Sequence, residues 1–130
     1  LYRVTPPART TTQITGLYDD LSSPWSGPHV TWRRSNCRGG ALDVAVRSDN
    51  TLFKGVRYQT IAIGGTTPSV TRRLTPSGHL SFRVPLSPRG GVCRVDFAVS
   101  PTRRPADFGG SDPRTLGVHF DVLRYIRPKK

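Results

Sequence analysis

Two aromatic rings and an acidic pair lie close together near the start of the chain. Tyr18 is followed by Asp19 and Asp20, and Trp25 comes five residues after that pair, in a segment rich in Ser, Pro and Gly. A sugar-binding site needs a flat ring face for the apolar side of a sugar, together with a few placed polar groups. These four residues could supply both, so they form a candidate carbohydrate-binding site. For Trp25, a loop anchor tucked into the core is an equally good interpretation.

A second polar pair, Asp112 and Arg114, ends the long segment 100–114, just before the last predicted strand. Long ordered loops on a rigid scaffold are where binding sites are usually built. A guanidinium can make two parallel hydrogen bonds, so the pair could contact sugar hydroxyls. We favour another role, in which Asp112 and Arg114 bind each other and lock the long loop onto the last strand.

The carboxylates give little support for catalysis. All eight acidic residues are Asp, and the chain has no Glu. Glycoside hydrolysis commonly needs two carboxyls of different pKa. Asp19 and Asp20 are the one adjacent acidic pair in the sequence, and neighbouring side chains in a loop generally diverge. They are better suited to a turn or to sugar hydroxyls. They could also contribute to a calcium site, although the spacing of an EF-hand is missing.

The three histidines, His29, His79 and His119, are isolated and lack metal-ligand spacing. Alternation places His119 on the solvent side of the last strand. The sequence also lacks the nucleophile elbow, the Walker loop and the dinucleotide fingerprint. It therefore predicts a domain that is not an enzyme by itself and that holds no metal or other cofactor, with calcium as the alternative.

The two cysteines, Cys37 and Cys93, lie 56 positions apart, each beside a pair of glycines. Sequence alone does not prove that they touch. A disulfide between them would close a long loop and stabilise the fold by about 4 kcal/mol in the chain-entropy model. It would also imply an oxidising, extracytoplasmic compartment. Two separate buried thiols are the alternative.

Alternating apolar and polar residues predict the elements that must position these side chains. Clear alternation covers residues 30–33, 42–47, 80–86, 93–99 and 118–123, and weaker strands are predicted at residues 13–18, 56–63 and 70–75. About eight short strands without helices between them predict an all-β, antiparallel sandwich, most simply a jelly roll. An immunoglobulin-like sandwich is the alternative, but Trp32 precedes Cys37 instead of lying between the two cysteines.

The same alternation predicts which face each side chain occupies. It places Trp32 in the core and puts Arg83, Arg94 and Asp96 on the outside. In the last run, the inward set is predicted to be Val118, Phe120 and Val122.

Length and composition bound the organisation of the chain. Its 130 residues, with 12 Val, 14 Thr and only six Ala, are typical of one β-rich domain. Residues 1–12 carry Pro6, Pro7 and a Thr triplet, which predict an extended lead-in or linker, so the domain covers residues 13–130. No stretch is apolar enough for a membrane span, which predicts a soluble piece. Because the chain starts at Leu1 without Met, we expect it to be cut from a longer precursor.

The net charge is +12, and 17 of the 20 basic residues are Arg. Such a surface attracts polyanions through counterion release. The basic residues are scattered singly or in pairs, without a run or a helical stripe. That pattern favours a solvated, Arg-rich surface over a nucleic-acid footprint.

Several stretches resemble the extracytoplasmic domains of large actinobacterial membrane glycosyltransferases, of the arabinofuranosyl- and mannosyltransferase types. The likeness covers roughly residues 18–128 and is carried by these segments: Pro24-Trp25-Ser26-Gly27-Pro28-His29-Val30-Thr31-Trp32-Arg33-Arg34, Cys37, Gly39-Gly40-Ala41-Leu42, Val92-Cys93-Arg94-Val95-Asp96-Phe97 and Asp112-Pro113-Arg114-Thr115-Leu116-Gly117. In that family the membrane part carries the catalytic carboxylates, and the appended sandwich is thought to hold or position glycan. This chain lacks a membrane region, so transferase activity does not carry over to it.

The resemblance implies a non-catalytic carbohydrate-binding or scaffolding domain, located outside the cytoplasm and attached to the membrane through the rest of the protein. Its expected partners are a cell-wall glycan such as arabinan, galactan or mannan, and the parent membrane domain in cis. A basic, capsid-like jelly roll that contacts nucleic acid is the rival hypothesis, and a purely structural module is a third. Salt dependence separates the first two, because only phosphate binding weakens steeply with salt.

Overall fold

In the computed structural model of this chain, the described residues are 12–18, 24–65 and 69–128. They form eight strands and a 3-10 helix at Pro105–Phe108. The strands are β1 (Thr12–Leu17), β2 (Ser26–Arg34), β3 (Ala41–Arg47), β4 (Gln59–Gly64), β5 (Val70–Leu74), β6 (His79–Pro85), β7 (Cys93–Ser100) and β8 (His119–Ile126). Within these residues, no helix is long and apolar enough to cross a membrane.

The strands make two antiparallel sheets, ordered β1-β2-β7-β4-β5 and β6-β3-β8. The pairs β2 with β7, β3 with β6 and β4 with β5 are nested around the β4–β5 hairpin. Rolling up one long hairpin produces this nesting, which is the principle of a jelly roll. β1 departs from it, because it pairs with β2, whereas complete nesting would place it beside β8. The predicted all-β, jelly-roll-like architecture is confirmed.

Side chains from both sheets meet in one core. Trp32 is 1% exposed, and Phe97 of the five-stranded sheet packs edge-on against Phe120 of the three-stranded sheet, with ring centroids 5.4 Å apart. Arg83 and Arg94 lie on the outer faces, as the period of two requires. The core prediction for Trp32 is therefore confirmed, and so are the outward positions.

The prediction for the last strand is wrong at Val122, which is 37% exposed. Adjacent residues Ala45 and Val46 of β3 lie opposite Val122 and Phe120, so Asp121 is an extra residue in β8. This β-bulge reverses the alternation, and the residue after Val122 packs against the core instead.

Several predicted boundaries shift in the structure: β2 begins four residues earlier than predicted and β8 ends three residues later. β4 begins at Gln59 and not at residue 56, because the Val56 amide donates a hydrogen bond to the Phe53 carbonyl and closes a turn. Thr12, the last residue of the predicted lead-in, is already the first residue of β1. Residues 1–11 lie outside the described part of the chain.

A disulfide joins Cys37, in the loop after β2, to Cys93, the first residue of β7, with their Cα atoms 5.7 Å apart. The Cys37 amide also donates to the Gly91 carbonyl over 2.7 Å. The predicted bridge is confirmed, and it is consistent with an oxidising, extracytoplasmic compartment.

Candidate functional site

An open groove of about 300 Å³ lies at one end of the sandwich. Its lining residues are Trp25, Asp49, Thr51, Leu52, Pro105, Phe108, Gly110, Asp112 and Leu116. They precede β2 and β8 or follow β3 and β7, and antiparallel pairing brings these four strand ends together. The groove therefore combines aromatic rings with carboxylates, the two kinds of group that a sugar site needs.

The structure brings together four of the six residues predicted for the site. Trp25 and Asp112 line the groove. Tyr18 is hydrogen-bonded to the segment before β2, which contains Trp25, and to the segment before β8, which contains Asp112. The Tyr18 amide donates to the Trp25 carbonyl, and its hydroxyl donates to the Thr115 carbonyl, both over 2.9 Å. The guanidinium of Arg114 lies 4.8 Å from the centre of the Tyr18 ring. The other two candidates, Asp19 and Asp20, lie outside the described residues.

Trp25 is half-buried and combines the two roles that the sequence left open. Its ring centroid lies 3.8 Å from that of His119, at an interplanar angle of 36°, and the side chain also lines the groove. His119 lies on the outer side of β8, opposite the exposed Arg47, as the alternation predicts, but the ring is not fully open to solvent. It is half-buried because the first residue of β8 forms an isolated β-bridge with Trp25, which brings the two rings into contact.

Asp112 and Arg114 form the predicted ion pair. Arg114 Nε donates to both carboxylate oxygens over 3.1 and 3.0 Å, Nη2 donates over 2.9 Å, and the Arg114 amide donates to Oδ1 over 2.9 Å. These hydrogen bonds hold the pKa of Asp112 below its usual range. The ion pair closes a local turn. The long loop is joined to the segment before β8 by another contact, the paired backbone hydrogen bonds between Arg103 and Leu116.

Sequence reasoning missed two groove residues, Phe108 and Asp49. Phe108 is 59% exposed at the end of the 3-10 helix. Asp49 Oδ1 accepts hydrogen bonds from the amides of Thr51 and Leu52, both over 2.8 Å, which shapes its loop. Asp49 lies in a Ser-Asp-Asn run, a composition typical of an ordinary turn, so its contribution to the groove had no signal in the sequence.

A fully buried amide, Gln59, sets the spacing of the groove loops. Its Nε2 donates to the carbonyls of Pro101 and Gly117 over 3.0 and 2.9 Å, and its Oε1 accepts from the Ser48 hydroxyl. Ser48 begins the loop between β3 and β4, whereas Pro101 and Gly117 lie at the two ends of the loop between β7 and β8. Because buried polar groups need partners, this network closes the base of the second loop and fixes the two loops relative to each other.

Arg103 links two of these loops at their tips. Its Nη1 donates to the carbonyls of Leu52 and Lys54 over 3.0 and 3.1 Å. The guanidinium carbon lies 4.5 Å from the ring centre of Phe108 and 5.9 Å from that of Phe53. The exposed Phe108 ring is thus held over the groove by a cation.

Comparisons with known proteins give no match: no family model, no curated protein and no solved structure is similar to this chain. Within residues 12–18, 24–65 and 69–128, no three His, Cys, Asp or Glu side chains converge as a metal site.

Proposed function

We propose that this chain is a non-catalytic carbohydrate-binding or scaffolding domain and that its groove binds a sugar polymer. One observation carries the proposal: Trp25 and Phe108 line the same groove as the carboxylates of Asp49 and Asp112. The rings offer apolar faces to a sugar, and the carboxylate oxygens accept hydrogen bonds from its hydroxyls.

The electrostatics of the groove support binding without catalysis. A glycosidase needs one carboxylic acid with a raised pKa to protonate the leaving group. The Asp112 carboxyl has the opposite shift, because Arg114 donates hydrogen bonds to its charged form. Asp49 already accepts two backbone hydrogen bonds, so its oxygens hold a loop in shape. A charged Asp112 suits an acceptor of sugar hydroxyls.

We also propose a parent protein, a cell-envelope polysaccharide glycosyltransferase that uses polyprenyl-phosphate sugars. Its membrane domain would be the partner in cis, and an arabinan, galactan or mannan would be the glycan. The sequence resemblance supports this assignment. The disulfide agrees with a domain outside the cytoplasm.

Titration with arabinan, galactan and mannan oligosaccharides, followed by amide chemical shifts, tests the groove. We expect a Kd of about 0.1–1 mM, because a few stacking contacts leave a small surplus over the cost of association. Phe108→Ala should weaken binding about tenfold, equivalent to about 1.4 kcal/mol. The variant should fold normally because Phe108 is largely exposed. Trp25→Ala should weaken binding as well, but it should also lower the melting temperature, because the half-buried Trp25 ring packs on His119.

Ile14→Ala is the matched control, since Ile14 is also an exposed apolar side chain, 42% exposed, and lies on β1 outside the groove. It should bind the glycans as the wild type does. The proposal fails if none of these glycans shifts the groove amides, or if Phe108→Ala binds as tightly as Ile14→Ala. Binding that falls steeply with salt would favour the nucleic-acid hypothesis, because stacking has no counterion term.

A further inference from the structure

The outer face of the five-stranded sheet contains two arginines placed directly opposite each other. Arg33 of β2 pairs in register with Arg94 of β7, and both side chains point outward. Opposite residues have Cβ atoms about 5 Å apart, and like charges at such positions destabilise a sheet. The fold therefore keeps a repulsive pair on this face.

The outer face of the three-stranded sheet differs in this respect. There Asp43 of β3 lies opposite Arg83 on one side and Arg124 on the other, and it forms ion pairs with both. On the five-stranded sheet the nearby carboxylate, Asp96, is bound by Arg94 and by the Thr31 hydroxyl. Asp96 therefore pairs with Arg94, whereas among the described residues no carboxylate forms an ion pair with Arg33, so the positive charge of Arg33 is left uncompensated on that face.

A trough of about 540 Å³ runs beside the arginine pair, over β2, β7 and β4. Its outward side chains belong to His29, Thr31, Ala62, Gly64, Arg94, Asp96 and Ala98. The small residues form the floor, and hydroxyl, imidazole and guanidinium groups stand at its sides. The Asp96 carboxylate, ion-paired with Arg94, also lines it, so the trough itself is polar and its positive charge comes from the adjoining Arg33, unlike the aromatic groove at the end of the sandwich.

We propose that this trough binds an acidic polysaccharide, with a sugar carboxylate held at Arg33 and Arg94. Guanidinium groups match a carboxylate with paired hydrogen bonds, and the anion would relieve the repulsion between the two arginines. Single-stranded nucleic acids are usually held by basic grooves that also offer aromatic stacking platforms. The outward side chains of the trough include no Phe, Trp or Tyr. This site lies on another face than the proposed glycan groove and takes a ligand of different charge.

Calorimetric titration with polygalacturonate in 50 mM NaCl tests the trough. Arg33→Gln and Arg94→Gln should each weaken binding about five- to tenfold. Each should also reduce the slope of log K against log salt concentration by about one, as the loss of one ionic contact does for other polyanions. Arg83→Gln is the matched control, because it also removes one charge and, like Arg94→Gln, one exposed ion pair, but on the opposite sheet. It should change the affinity less than twofold.

Equal weakening by Arg83→Gln and Arg33→Gln would show diffuse attraction to the whole surface and overturn the proposal. So would tighter binding of a single-stranded oligothymidylate or of poly-glutamate at the same charge concentration, which would assign the face to nucleic acid or to acidic peptides. Phe108→Ala should bind polygalacturonate as the wild type does. That variant separates failure of the trough from failure of the groove.

Discussion

The two ends of the sandwich are held together by different chemistry. At the disulfide end, where β2 finishes and β7 begins, the Cys37–Cys93 bond closes the structure covalently. At the groove end, single side chains such as Gln59 and Arg103 bind the backbone of neighbouring loops. The first end is fixed by a bond that also constrains the unfolded chain, whereas the second depends on polar contacts that exist only in the folded state.

This difference separates stability from loop geometry. A crosslink acts on the whole chain, because it lowers the conformational entropy of the unfolded ensemble. A buried polar network acts locally, since removing one member leaves its partners without hydrogen bonds. Perturbing the disulfide end should therefore change global stability, and perturbing the groove end should change where the loops lie.

The largest effect is expected from removing the disulfide. Cys37→Ala combined with Cys93→Ala should lower the free energy of unfolding by about 4 kcal/mol, because the bond closes a loop of 56 positions. Urea unfolding of the oxidised wild type and the variant measures this difference. Reduced wild-type protein is the control and should lose a similar amount. A difference below about 1 kcal/mol would mean that the crosslink does not limit the unfolded chain.

Gln59→Leu should have the next largest effect. It leaves the Ser48 hydroxyl and the carbonyls of Pro101 and Gly117 without their shared partner, at a cost of about 3 kcal/mol. Amide chemical shifts should change in the groove loops and stay constant around Cys37. Gln13→Leu, on the exposed edge strand β1, is the matched control and should cost little. If both variants unfold alike, the Gln59 network does not position the groove.

The strands were predictable because alternation reports directly which face of a sheet a residue occupies. Trp32 and the outward Arg83 and Arg94 followed from that rule, and it failed at Val122, where a bulge inserts one residue. Gln59 occupies an inward position within the predicted strand 56–63, and nothing in its sequence context shows that two loops converge on it. Loop neighbours that are distant in sequence depend on tertiary packing, which period-two patterns do not encode.

The groove itself was predicted only in part, for the same reason. Trp25 and Asp112 stood out as an aromatic and an acidic residue in long loops, and the structure places both in one groove. Phe108 lies in the same long loop as Asp112, but no motif or residue spacing around it predicted a role in binding. Its role depends on the Arg103 guanidinium, which precedes the 3-10 helix and lies 4.5 Å from the ring centre of Phe108, the last residue of that helix.

Two glycines, one at each end of the sandwich, allow the cost of the same substitution to be compared, and the expected effects are smaller. Gly40 at the disulfide end and Gly109 at the groove end have φ values of +97° and +90°. An added Cβ at Gly40 would collide with the Ile126 carbonyl oxygen, whereas one at Gly109 would meet open space. Gly109→Ala should cost about 1 kcal/mol from the left-handed backbone alone, and Gly40→Ala should cost about 1 kcal/mol more. Thermal unfolding of both variants tests this order, and equal losses would show that the end around Gly40 can shift to make room.

The smallest effect is an acid-sensitive loosening of the groove loop. Hydrogen bonds from Arg114 hold the pKa of Asp112 below its usual range, and those from Arg104 do the same for Asp107. A carboxyl whose pKa is lower in the folded state stabilises that state above the unfolded value of about 3.9, and the contribution is lost as the pH falls through the folded value. The disulfide does not titrate, so acid leaves the covalent link at the other end intact.

Hydrogen exchange between pH 5 and pH 2.5, corrected for its intrinsic pH dependence, should therefore show protection falling first in residues 105–116 and later around Cys37. Asp112→Asn should exchange faster than the wild type at pH 5 and change less on acidification, because it cannot form the charged pair at any pH. Asp43→Asn is the matched control, since the pKa of Asp43 is lowered in the same way by Arg83 on an outer sheet face. If Asp43→Asn reproduces the groove-loop behaviour of Asp112→Asn, the acid response is a global loss of stability and the two ends do not differ in it.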